Sequence, residues 1–201
     1  MASLQVLLAS VEERLLAMSA GERGVFVAGV AERLMSWHEA LPGDRRAPFI
    51  LGLRPLLNSV WDGVLGDTTA FRAVKRSVAE YLRSEYCHND GQDGPDDADE
   101  PAAAATLHAA SAYLFGCADF AIWASQRAAD AVGEQLEFLA EHEEEMPDLE
   151  VATVVELHRQ LNDLALIASH ARELRHSALG LAIDTSIRLR VELRGPLSKR
   201  D

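Results

Sequence analysis

Apolar residues recur at three- and four-residue steps along most of the chain, the period of an amphipathic helix. Leu4, Leu7, Leu8, Val11, Leu15 and Met18 form the first such stripe. Ser19 stands three residues before Glu22, the spacing of a capping box, in which each side chain satisfies a backbone N–H at the start of a helix. The second helix is expected over about 20–41, with Val27, Val30, Leu34 and Trp37 on one stripe and Pro42-Gly43 as its stop. Pro48 and Pro55 each suit the first turn of a helix, where a missing N–H costs nothing. The pattern therefore predicts a short helix near 46–52 and a longer one near 54–65, carrying Leu56, Leu57, Val60, Trp61 and Leu65. A further helix over about 69–86 would bury Phe71, Val74, Val78, Tyr81 and Leu82, with Asp67 or Thr68 as its cap.

Residues 88–100 lose the period and are rich in Gly and Asp, the composition of a solvated loop. Pro101 then opens an Ala-rich segment from 102 to about 127, whose small side chains fit a central, closely packed helix. Its pattern runs on through Val132, Leu136 and Leu139 to a charged end at Glu141–Glu145. Gly116 and Gly133 are the two places where it could break. Met146-Pro147 stops the pattern, Asp148 caps the next helix, and Val151, Val154, Val155, His158, Leu161, Leu164 and Ile167 carry it toward Leu179, with Gly180 as a C-terminal cap. The last element, about 185–194, reads two ways. Ile187, Leu189, Val191 and Leu193 alternate as in a strand, whereas Leu179, Ile183, Ile187 and Val191 are spaced by four as in a helix. Nothing else in the chain could pair with a lone strand, which favours the helix. A strand there would pair across a homodimer.

The expected fold is all-α: one domain over 1–201, a bundle of about seven or eight mostly antiparallel helices. The acidic loop at about 88–100 would separate two helical halves.

Charge changes the picture most. Between Ser84 and His158 the chain carries 18 acidic side chains and a single basic one, Arg127, within a net charge of -13. Self-repulsion on this scale costs stability, and it creates a field that a cationic partner would feel. The same field would repel the phosphates of nucleic acid or of an anionic membrane. The short basic tail Arg188, Arg190, Arg194, Lys199 and Arg200 reads as an internal counterweight. No apolar run approaches the length of a membrane span, and the first residues lack the pattern of a signal peptide. A cytoplasmic protein is expected. Cys87 and Cys117 are too few for a disulfide framework and lack CxxC spacing, so reduced thiols are the simpler reading.

Candidate chemistry is sparse. Glu173-x-x-His176 matches half of a di-iron carboxylate motif, with His170 one turn earlier, but no second copy stands elsewhere. The aspartates Asp90, Asp93, Asp96, Asp97 and Asp99 fail the order of a calcium loop. There is no GxSxG, no Cys–His signature and no phosphate loop, so no catalytic residue, metal ligand or cofactor is assigned. His158 reads as a histidine of the core or its boundary. Trp37, Trp61 and Trp123 read as core, or as the lining of a ligand pocket between helices.

Several segments resemble the YjaG-like family, small all-helical bacterial proteins of unassigned function. They are Ala31-Glu32-Arg33-Leu34, the apolar run from Leu56 to Trp61-Asp62, the loop ending in Asp96-Asp97 with Ala102–Ala112 after it, and Glu156 with Gln160 four residues on. The resemblance covers about 30–170, and the tail from Leu179 departs from it. It implies an all-α fold and brings no catalytic residues.

The leading functional expectation is a non-catalytic protein-binding module of the immunity or antitoxin kind. Asp96, Asp97, Asp99, Glu134, Glu137, Glu141 and Glu144 would dock on a basic protein partner. The alternatives are a metal-dependent helical enzyme built on His170, Glu173 and His176, and a small-molecule-binding helical regulator.

Overall fold

The structure, a computed structural model, describes residues 3–88, 100–140, 148–175 and 183–194. All regular structure among them is helical: α1 Leu4–Ala17, α2 Ala20–Ala40, α3 Phe49–Val64, α4 Ala70–Tyr81, α5 Pro101–Phe115, α6 Asp119–Ala140, α7 Leu149–Ser169, α8 Ala171–Arg175 and α9 Ile183–Leu193. The acidic loop, the run Glu141–Glu145, His176 and Gly180 lie outside the described residues. No described helix is long and apolar enough to cross a membrane. Cys87 and Cys117 are not bridged to each other.

The hub is α2. It packs against α3, α5, α6, α7, α8 and α9, and every side chain from Val25 to Met35 is buried. Such a helix has no solvent face, which explains why its stripe is broader than the sequence period suggests. The Ala-rich α5 lies against it as expected, with Ala102, Ala103, Ala105, Ala109, Ala110 and Ala112 buried. Gly29 admits the close approach of α9: a Cβ there would stand 3.1 Å from Cβ of Leu193. The C-terminal element is thus a helix, and Leu189 and Leu193 are its buried residues.

The capping box forms as expected. Glu22 Oε2 accepts from the Ser19 N–H at 2.9 Å, and Ser19 Oγ accepts from the Glu22 N–H at 3.4 Å. Ser19→Ala should lower stability by about 1 kcal/mol. A urea midpoint equal to that of the parent protein would show that the box contributes nothing here.

Three boundaries differ from expectation, and the Ala-rich helix breaks at the first of its two candidate glycines. The two helices expected on either side of Pro55 are one, α3, with Pro55 inside it. Leu51, whose carbonyl loses its partner at Pro55, lies with it on the exposed side, where water can replace the missing donor. The Ala-rich helix is two pieces, because Gly116 takes a left-handed φ of 69° and closes α5. α4 ends at Tyr81, and Phe71 and Leu82, expected inside, are 45% and 47% exposed. α7 stops at Ser169, with His170 as its C-cap, instead of running on toward Leu179.

Candidate functional site

Two groups of charged side chains meet at the centre of the bundle. They start from neighbouring residues of α2, Glu32 and Arg33, which a helix points about 100° apart. Arg33 is buried and faces α7. Its Nη1 donates to Asp163 Oδ2 at 2.6 Å, and its Nη2 donates to Glu156 Oε1 at 3.1 Å. Gln160 Nε2 donates to the same Glu156 oxygen at 3.0 Å, and Ser125 Oγ of α6 donates to Gln160 Oε1 at 2.5 Å. Glu156, Gln160 and Asp163 occupy one face of α7 by their spacing of four and three. Burial works against the Arg33 charge, and the fields of Glu156 and Asp163 outweigh it, so the guanidinium is held above its ordinary range.

Glu32, equally buried, faces α3. Its Oε2 accepts from Trp61 Nε1 at 3.0 Å, and its Oε1 accepts from Arg54 Nη1 at 2.9 Å. Arg54 also grips Glu39 with two bonds of 2.7 Å. Both groups reach α9. Arg33 Nη1 donates to the Leu193 carbonyl at 3.3 Å and Arg159 Nη2 to the Glu192 carbonyl at 3.2 Å, while Arg194 Nε lies 3.3 Å from Glu32 Oε1. Two guanidinium groups thus take up carbonyls that the last turn of α9 leaves without helical donors. Arg33 with Arg159 balances Glu156 with Asp163, and Arg54 with Arg194 balances Glu32 with Glu39. Such an arrangement joins helices.

The histidines divide by burial. His38 Nε2 accepts the Ala47 N–H at 3.0 Å, which requires the neutral ring. Burial lowers its pKa against the opposing field of Glu39. His158, expected at the core or its boundary, is exposed. His170 is buried: Arg188 Nη2 donates to its Nε2 at 2.7 Å, and its Nδ1 lies 3.4 Å from Glu173 Oε1. Because a guanidinium only donates, Nε2 must be the acceptor and Nδ1 carries the proton. Among the described residues no three His, Cys, Asp or Glu side chains are grouped to hold a metal ion.

The outer surface of α6 holds the acidic run. Asp119, Trp123, Gln126, Asp130 and Glu134 are all exposed, and steps of three or four place them along one side of the helix. Arg127 Nη1 stands 3.9 Å from Asp130 Oδ2. Of the residues expected to dock a partner, Glu134 is exposed on this surface and position 137 falls one turn further along α6. Asp96, Asp97, Asp99, Glu141 and Glu144 lie outside the described residues. The three tryptophans separate: Trp61 is buried, Trp37 half-buried and Trp123 46% exposed.

Comparison with protein-family models, with curated proteins and with solved structures found no match. The likeness to the YjaG-like family therefore rests on the quoted residues alone. Glu32, Arg33, Trp61, Glu156 and Gln160, all within those segments, are among the residues that meet in the buried groups, whereas Asp163, Arg54 and Ser125 lie outside the segments.

Proposed function

We propose that the chain is a protein-binding module that docks the acidic outer surface of α6 on a basic protein partner, as an immunity or antitoxin protein would occlude a cationic cleft. The observation that carries this reading is the exposed run Asp119, Asp130 and Glu134, with Arg127 as the sole basic side chain along α6. It lies within the 75-residue stretch that holds 18 acidic groups. A surface charged in one sign speeds encounter with the opposite sign, and salt abolishes that advantage.

The test is kinetic. A partner recovered from host lysate at low salt should associate about tenfold more slowly with Asp130→Lys/Glu134→Lys, and the difference should shrink at salt high enough to screen the surface. The same direction is expected for Glu137→Lys/Glu141→Lys. An association rate that neither pair alters at low salt would remove the proposal.

A further inference from the structure

Four rings form a row at the corner where α5 meets α6. The Phe115 and Phe120 centroids are 6.3 Å apart, and Phe120 meets Trp123 edge-on at 5.4 Å. His108 of α5 lies 5.6 Å from Trp123 and 6.2 Å from Phe120. The left-handed turn at Gly116 creates the row, because it ends α5 at Phe115 and lets α6 begin within three residues. Phe115 is 74% exposed and Trp123 46%. An isolated exposed ring needs no explanation, but two exposed rings joined through the half-buried Phe120, beside a polar rim, mark a contact surface. Large aromatics at the centre of such surfaces carry much of the binding energy.

The surrounding charge selects the occupant. Trp123 stands four residues after Asp119 and seven before Asp130, on the same side of α6. A phosphate stacked there would be repelled, and a purely apolar segment would strip water from both carboxylates without replacing it. A cation over the indole face is attracted by the ring and by the carboxylates together. Arginine suits this better than lysine, because its planar guanidinium stacks and is more weakly hydrated. The fold already makes this contact once, with the Arg190 guanidinium 5.6 Å from the Trp61 ring. Two local groups could oppose a cation. Arg127 is partly offset by Asp130. Burial, with the field of Arg127, favours the neutral form of His108.

We infer that this row anchors the docking surface and receives an arginine-bearing segment of the partner protein. The guanidinium stacks on Trp123 between Asp119 and Asp130, and an apolar residue of the same segment covers Phe115. This inference rests on the reading of α6 as a docking surface.

Titration of a labelled nona-arginine peptide, read by fluorescence anisotropy at low salt, tests it. Trp123→Ala should weaken binding about three- to tenfold, and Trp123→Phe, which keeps a ring face, should weaken it less. The loss should be larger with nona-arginine than with nona-lysine. Both variants should fold, because the side chain is half in water, and circular dichroism checks this. If Asp130→Lys/Glu134→Lys weakens binding while Trp123→Ala does not, the surface docks by charge alone and the anchor is wrong. If neither alters binding, the peptide sits elsewhere and the docking surface falls as well. Binding of a nona-glutamate peptide that depends on Trp123 would overturn the cationic assignment.

Discussion

Arg33→Met is expected to destabilise the protein by about 3–5 kcal/mol, because it leaves Glu156 and Asp163 in the interior without their shared cation. The guanidinium binds Asp163 at 2.6 Å and Glu156 at 3.1 Å, and it also holds the Leu193 carbonyl of α9. Methionine fills much of the same space, so the loss measures uncompensated charge more than a cavity. Such a loss is a large part of the 5–15 kcal/mol that keeps a typical domain folded. The measurement is a urea titration of parent and variant. A loss below about 1 kcal/mol would mean that water reaches the carboxylates and that the pair is not truly interior. A second variant separates stability from specificity. Arg33→Met with Glu156→Leu and Asp163→Leu removes all three charges together, and exchanges of this kind are often neutral or stabilising. Arg33 Nε and Glu156 Oε2 are buried without partners among the described residues, so the native arrangement carries a desolvation cost that the apolar core would not. If the triple variant matches the parent in stability, the buried charges serve to fix which helices meet, α2 with α7 and α9.

Much of this fold is legible in the chain because a helical period needs only local information. The stripe of α1, the capping box at Ser19 and the cap at Asp148 all follow from spacing within a few residues. The buried charges do not. A charged residue is ordinarily placed in water, since burying it unpaired is costly. The partners of Arg33 stand 123 and 130 residues away. Two local signals pointed to them nonetheless. Glu32-Arg33 is the one charged pair inside the otherwise apolar run Val25–Met35, and Glu156, Gln160 and Asp163 share a helical face with Leu157, Leu164 and Ile167. Trp123 is the converse case. Its residue type suggested the core, while its phase with Asp119 and Asp130 placed it in water. In both cases the helical phase of a residue was more informative than its type. Phe71 and His158 run the other way: each stands on an apolar stripe of its helix and is nonetheless exposed, because the buried face turns away from that stripe.

Trp61→Ala is expected to cost about 3–5 kcal/mol, and its damage should extend to α9. Trp61 is fully buried on α3 and serves three helices at once. Its ring fills the core, its Nε1 donates to Glu32 of α2 at 3.0 Å, and its face carries Arg190 of α9 at 5.6 Å. Alanine removes all three functions. Phenylalanine keeps an apolar ring and a face for Arg190 but removes the donor, so Trp61→Phe should cost about 1–3 kcal/mol. Glu32 retains Arg54 and Arg194 in either variant, so neither leaves its charge unpaired. The two variants should therefore differ most at α9, whose hold on Asn58 through Arg190 at 2.9 Å depends on the same platform. Hydrogen exchange resolves this. In Trp61→Ala the amides of α9 should exchange faster relative to those of α1, which does not touch Trp61 through any of these contacts. In Trp61→Phe the ratio should stay near that of the parent protein. Equal acceleration in α1 and α9 would show that Trp61 supports the bundle as a whole and that α9 does not depend on it locally. Acceleration confined to α9 would tie the C-terminal helix to the core through one indole ring and the carboxylate it binds.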